Sequence, residues 1–102
     1  QGADMSSKLT KWDSAANLKT DEDIAAYLDA CFEEAGDDAA YITHALGVVA
    51  KAKGMTQLAK QTGLGRESLY KALSGDGNPS FATILKVLRA LGVQIHTEVT
   101  PA

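Results

Sequence analysis

The stretch that most constrains the fold is MTQLAKQTGLGRESLYKALSGDGNP, residues 55–79. Four of its positions have the spacing of two short helices joined by a tight turn: Ala59, Gly63, Leu64 and Leu69. Gly63 can adopt the positive φ that ends a first helix, and Leu69 and Leu73 share one face of a second. The pattern predicts a helix-turn-helix, although any two-helix hairpin can show part of it.

The second of these helices presents a polar, partly basic surface. With Leu69 and Leu73 turned inward, five side chains remain outside: Arg66, Glu67, Ser68, Tyr70 and Lys71. We expect Thr56 to cap the first helix, because its hydroxyl can accept a hydrogen bond from an otherwise unpaired backbone N–H. A helix-turn-helix places its second helix in the major groove of DNA, so this stretch favours DNA binding.

Charge is divided unevenly along the chain. The net charge is −3, but residues 12–50 hold nine acidic residues against one lysine, and residues 51–92 hold seven basic residues against two acidic ones. A local basic face is what contacts with DNA phosphates require. The acidic run has two interpretations: a solvated helix face, its usual role, or a docking surface for a basic protein.

Length and composition limit the remaining possibilities. A chain of 102 residues with 45% hydrophobic residues fits one domain with one core, and no apolar run approaches the ~20 residues of a membrane span. We expect residues 1–11 to be a cloning remnant (Gln1 to Asp4) and a flexible N-terminus, and residues 12–102 to form the domain. The single Cys31 cannot form an internal disulfide, which fits a reducing cytoplasm.

The sequence contains no pattern typical of a catalytic, metal or cofactor site. His44 and His96 lie far apart without ligand spacing around them. No nucleophile with a base and an orienting group can be assembled, and Gly75 to Gly77 lacks the Lys-Ser/Thr that completes a phosphate-binding loop. We therefore expect a binding protein, not an enzyme, with no metal and no cofactor.

Apolar residues at helical spacing predict acidic helices within residues 20–53 and a last helix at residues 80–91. Thr20 is a good start for the first helix, Asp37 or Asp38 for the second, and Ser80 for the last. The inward faces of the first and last helices are expected to carry Ile24, Leu28, Cys31, Phe32 and Ala35, and Phe81, Ile84, Leu85, Leu88 and Leu91, respectively.

The period changes after the last helix. Val93, Ile95, Thr97 and Val99 alternate with polar residues, which predicts a short C-terminal β-strand over residues 93–99. An isolated strand has unpaired edges, so we expect these four residues to pair in a homodimer or with another protein. An irregular tail is the alternative. The expected fold class is therefore all-α, with five helices and one short C-terminal strand.

The chain resembles a known family from Trp12-Asp13 through GMTQLAKQTGLGRESLYKALSGDGNPSFATILKVLRALGV, over residue 12 to about residue 95. The most specific segments are ALG at residues 45–47, KAKGM at 51–55, LYKAL at 69–73 and GNPSFAT at 77–83. They resemble the addiction-module antidote proteins, HigA-like antitoxins with a lambda-repressor-like helix-turn-helix of the XRE type.

This resemblance implies a function as well as a fold. Such antitoxins bind and neutralise a RelE/HigB-type toxin, a small basic ribonuclease that cleaves mRNA, and they repress the operon that encodes both proteins. It implies that the acidic run is the toxin surface, with Glu33, Glu34, Asp37 and Asp38 as candidate contacts. A stand-alone phage-type repressor without a toxin partner is the alternative.

The resemblance also implies roles on the recognition helix, which would start near Gly65. Arg66 has the planar fork that matches guanine O6 and N7. Glu67 would accept from cytosine N4 or orient Arg66, and Tyr70 would touch a thymine methyl or a phosphate. Ser68 and Lys71 would hold phosphates and set the register.

The start of the first helix departs from the wider repressor pattern. Most members have two more residues between the capping threonine and the Leu-Ala pair, whereas only Gln57 separates Thr56 from Leu58 here. The phosphate contact that a glutamine usually makes at this place is therefore in doubt for Gln57. Thr56 and Gln57 complete the candidate DNA-binding set.

Overall fold

A computed structural model describes residues 18–74 and 77–101 of the chain. These residues form five helices: α1 (Asp21–Ala35), α2 (Ala39–Lys53), α3 (Met55–Thr62), α4 (Arg66–Ala72) and α5 (Phe81–Leu91). The all-α class is confirmed. The expected cloning remnant and flexible N-terminus, residues 1–11, and the loop residues Gly75 and Asp76 lie outside the described residues.

The helix starts follow the expected capping chemistry. The Thr20 hydroxyl accepts from the Asp23 N–H at 3.1 Å, and the Asp23 carboxylate accepts from the Thr20 N–H at 3.1 Å, which is a reciprocal capping box. Asp38 caps α2 by accepting from the Tyr41 N–H, and Ser80 caps α5 by accepting from the Thr83 N–H, both at 3.1 Å. The expected starts at Thr20 and Ser80 are confirmed, and Asp38 is the cap of the two candidates Asp37 and Asp38.

The join between α2 and α3 corrects the expected role of Thr56. Gly54 ends α2, and α3 begins at the next residue, so no residue is left to form a separate cap. The backbone turns at Gly54 with φ 111°, a conformation that favours glycine. Thr56 is therefore an exposed residue inside the first turn of α3, and no side chain caps that helix.

The core lies where the five helices converge, with α1 against α2, α2 against α3, and α3 against both α4 and α5. The largest fully buried side chains come from every helix: Leu46, Leu58, Leu69, Leu91, Val49, Val87 and Cys31. Packing of α3 on α5 turns Val87 inward, whereas Phe81 and Leu85 are 66% and 45% exposed. Phe32 of α1 is exposed as well. The expected inward positions of Phe81, Leu85 and Phe32 are therefore wrong.

The expected C-terminal β-strand is also wrong. Within the described residues, 93–101 form no strand; Val93 is half-buried, whereas Ile95, Thr97 and Val99 are exposed. The Val93 N–H donates to the Leu88 carbonyl at 3.1 Å, which continues the cap of α5. A strand requires a second backbone to pair with, and the described part of the chain supplies none. Alternating hydrophobicity alone was therefore not enough to form a β-strand.

Candidate nucleic-acid interface

The turn between α3 and α4 is held by glycine geometry and one hydroxyl. Gly63 ends α3 in the left-handed region with φ 77°, and its N–H donates to the Ala59 carbonyl at 3.0 Å. The Thr62 hydroxyl donates to the same carbonyl at 3.1 Å and accepts from the Leu64 N–H at 3.2 Å. These bonds satisfy the end of α3 and set the direction in which the chain enters α4.

α4 is fixed in place by two leucines and a close helix approach. Leu69 and Leu73 are buried, as expected from their spacing. A Cβ atom added to Gly47 of α2 would lie 2.9 Å from the Leu73 carbonyl oxygen, closer than a real Cβ approaches an oxygen. Gly47 therefore allows α2 to approach the C-terminal end of α4. The seven-residue α4 depends on this packing, because so short a helix is marginal alone.

The exposed face of α4 brings most of the expected recognition residues together. Residues at i, i+1, i+4, i+5 and i+8 lie side by side on a helix. One shallow depression of about 650 Å³ is lined by Arg66, Glu67, Tyr70 and Lys71 of this face and by Ser74, which follows the end of α4. Ser68 is exposed but does not line this depression, and Thr56 and Gln57 lie exposed on the first turn of α3.

Lys51 also belongs to this surface, although the sequence pattern gave no reason to expect it there. Its ammonium nitrogen lies 5.8 Å from the centroid of the Tyr70 ring, within the range of a cation–π contact. A smaller groove of about 280 Å³ runs beside Tyr70 between α2 and α4, and His44, Lys51 and Ser74 are among its lining residues. The basic surface thus extends from α4 onto α2. Lys51 and Tyr70 are distant in the sequence, so local residue spacing could not predict that they lie together.

The cations of this face are free to meet external anions. Within residues 18–74 and 77–101, the only ion pair joins Lys53 Nζ to Asp21 Oδ1 at 2.8 Å, far along the chain from α4. Exposed pairs of this kind contribute about 0–1 kcal/mol. Arg66 and Lys71 are exposed without a carboxylate partner in this part of the chain. Phosphate groups are the anions that such a face can bind.

The acidic candidates lie at the end of α1 and in the turn before α2, and they do not all have the same role. Glu33 and Glu34 are exposed in the last turn of α1, and Asp37 is exposed in the turn that follows. Asp38 is also exposed, but its carboxylate caps α2. Burial raises the pKa of the Tyr41 hydroxyl, and the nearby ionisable groups of Cys31 and Glu34 raise it further.

None of the helices in the described ranges combines the length and apolarity that a bilayer crossing needs.

Comparison with known proteins identifies the family. Residues 8–99 match the model of a family described as "Probable addiction module antidote protein". An uncharacterised protein of Haemophilus influenzae (strain KW20/Rd) is 44% identical over 94 residues, which cover 92% of this chain and 95% of the relative. No solved structure matches the chain. The family match spans all five helices, and the chain therefore belongs to the addiction-module antidote protein family.

Proposed function

We propose that this chain is a HigA-like antitoxin of a type II toxin–antitoxin module. It neutralises a RelE/HigB-type toxin that cleaves mRNA, and it represses its own operon through an XRE-type helix-turn-helix. It acts in the cytoplasm by binding, without catalysis or a cofactor. Membership of the antidote family supports a toxin partner, and the α4 face supports a DNA partner.

The observation that carries the DNA proposal is the clustering on α4. Four of the five expected recognition residues line one depression, and Leu69 and Leu73 hold the helix from behind. Arg66 makes the bidentate contact to guanine. Lys71 holds a phosphate, and Lys51 adds a second cation from α2. The protein binds an inverted repeat as a homodimer, with half-sites about 34 Å apart.

The DNA proposal is tested with three alanine variants titrated against operator DNA by fluorescence anisotropy at several salt concentrations. Arg66→Ala should cost about 1–3 kcal/mol and relax sequence preference at one base. Lys71→Ala should weaken binding to all sequences alike and reduce the salt dependence. Arg89→Ala is the matched control, because Arg89 is exposed on α5 and lines grooves that share no residue with the α4 face.

Two outcomes would contradict this assignment. If Arg66→Ala and Lys71→Ala bind like the wild type, α4 is not the recognition helix. If Arg89→Ala loses as much sequence preference as Arg66→Ala, the DNA contacts lie elsewhere on the basic half of the chain.

The toxin proposal rests on the family and on the separation of charge. A ribonuclease that binds RNA phosphates needs a basic surface, and Glu33, Glu34, Asp37 and Asp38 offer it acidic groups away from α4 in the sequence. One molecule can then hold toxin and operator together. The test is co-expression with the toxin encoded beside the antitoxin gene, followed by growth. Operator binding without rescue of growth would identify a stand-alone repressor instead.

A further inference from the structure

A groove between α1 and the C-terminal tail lies apart from the α4 face. It measures about 560 Å³, with α1 on one side and residues 93–96 on the other, and the buried Leu88 of α5 also lines it. We name it the α1–tail groove. Phe32 of α1 is 44% exposed and Ile95 of the tail is 49% exposed, so two large apolar side chains face water here.

The apolar surface continues across the tail. A second groove of about 570 Å³ shares Leu88, Val93, Gln94 and Ile95 with the first and extends to Leu85, which is 45% exposed. Isolated apolar residues on a surface are ordinary, whereas a contiguous group is typical of an interaction site. The surface from Phe32 through Ile95 to Leu85 is contiguous. A partner that covers it removes apolar area from water, which stabilises the complex.

Charge around the α1–tail groove selects the kind of partner. Among the described residues, Asp29 and His96 line the groove and no lysine or arginine does, whereas Arg89 lines only the second groove. Glu22 and Glu33 are exposed on the same flank of α1, because residues seven and four positions from Asp29 lie on one side of a helix. An apolar groove with an acidic flank complements an apolar segment that carries basic side chains.

We propose that the α1–tail groove is the docking site for an apolar segment of the toxin with basic residues beside it. This inference rests on the proposed antitoxin function and adds the surface that gives the complex its affinity. Glu33, Glu34 and Asp37 then act mainly on the association rate, whereas Phe32 and Ile95 act on dissociation, because desolvated apolar anchors dominate binding energy.

A second copy of the chain is a poorer occupant. A two-fold contact uses the same patch of both molecules, so it brings the acidic flank of Asp29 and Glu33 into the interface twice. A basic toxin neutralises this flank instead.

The test uses the double variant Phe32→Ala/Ile95→Ala and the toxin encoded beside the antitoxin gene, recovered from the co-expressed complex with denaturant and refolded. In biolayer interferometry, the double variant should dissociate at least about tenfold faster than the wild type, with little change in association rate. The matched control is Phe81→Ala/Val99→Ala. These residues are more exposed than Phe32 and Ile95 and line neither groove, so the control should stay within about twofold of the wild type.

A second variant, Asp29→Lys, keeps the test valid if the double variant folds poorly. Asp29 is exposed, so its reversal should leave circular dichroism unchanged and weaken toxin binding, most strongly at low salt. Wild-type binding kinetics in either folded variant would overturn the inference. So would a double variant that becomes monomeric in ultracentrifugation yet holds the toxin normally. If the wild type itself does not bind the toxin, the proposed antitoxin function fails instead.

Discussion

The α4 face and the α1–tail groove are both exposed, but they hold their apolar residues differently. α4 buries Leu69 and Leu73 and presents charged and polar side chains, whereas α1 and the tail leave Phe32 and Ile95 half-exposed. Charged side chains can remain hydrated until a partner arrives, whereas exposed apolar side chains carry a free-energy cost in water. The first surface suits a hydrated, salt-sensitive contact with nucleic acid, and the second suits a desolvated contact with protein.

The two surfaces also differ in what supports them. α1 has 15 residues and its own capping box, so its start is fixed by local hydrogen bonds. α4 has seven residues, no side-chain cap and a close approach to Gly47, so its position depends on packing. We therefore expect core substitutions to disable the α4 face before they disable α1.

The largest effect is expected from the matched pair Leu69→Ala and Leu85→Ala. Leu69 is fully buried behind the exposed side chains of α4, so its truncation should lower the free energy of unfolding by about 2–5 kcal/mol. Leu85 is 45% exposed, so the same change should cost under about 1 kcal/mol. Urea denaturation followed by far-UV circular dichroism measures both. An equal loss in the two variants would mean that the exposed face of α5 is covered in solution.

A smaller effect, on rates, is expected from the acidic residues. Glu33→Lys, Glu34→Lys and Asp37→Lys combined with Asp38→Asn should slow toxin association about tenfold at low salt and much less at high salt. The asparagine preserves an acceptor for the Tyr41 N–H, so α2 keeps its cap.

Asp38→Asn alone is the control for this combination, and its association rate should stay near that of the wild type. DNA affinity should not fall in the combined variant, because the α4 face is unchanged. An unchanged association rate at low salt would return these acids to the interpretation of a solvated helix face.

Gly47→Ala should destabilise the chain by about 1–2 kcal/mol, since overpacking against the Leu73 carbonyl outweighs the better helix propensity of alanine. It should also weaken operator binding, because α4 must move. Gly65→Ala is the control: its φ is −69° and its added Cβ meets only the Ser68 hydroxyl, at 3.9 Å. Thermal melts and anisotropy titrations separate the two. Equal melting temperatures and equal operator affinities in the two variants would show that α4 tolerates a shift away from α2.

The smallest effect concerns the pH dependence at the start of α1. Hydrogen bonds from the Lys19 and Thr20 backbone N–H groups lower the pKa of Asp23 from its ordinary value of 3.8. The charged carboxylate therefore stabilises the folded state above pH 3.8, and this contribution is lost as the pH falls through the lowered pKa. Wild type should melt above Asp23→Asn at neutral pH and converge with it in acid. Parallel melting temperatures across that range would contradict this role.

Many features of the fold could be predicted from local sequence patterns. Thr20, Asp38 and Ser80 cap their helices as expected, because a cap depends on residues within one turn. Gly63 has the expected positive φ, and Leu69 and Leu73 are buried as expected. The clustering of Arg66, Glu67, Tyr70 and Lys71 was equally predictable, because residues on one short helix keep their relative positions wherever the helix lies.

Contacts between distant segments were decided only by the tertiary structure. The packing of α3 on α5 turned Val87 inward and left Phe81 and Leu85 outside, although all three fit an apolar helix. Lys51 met Tyr70 because Gly47 lets two helices approach. Residues 93–101 formed no strand because a strand needs a second backbone to pair with, and the described part of the chain places none beside them. Local sequence therefore determined the helices and their ends, whereas packing determined which faces remained free to bind.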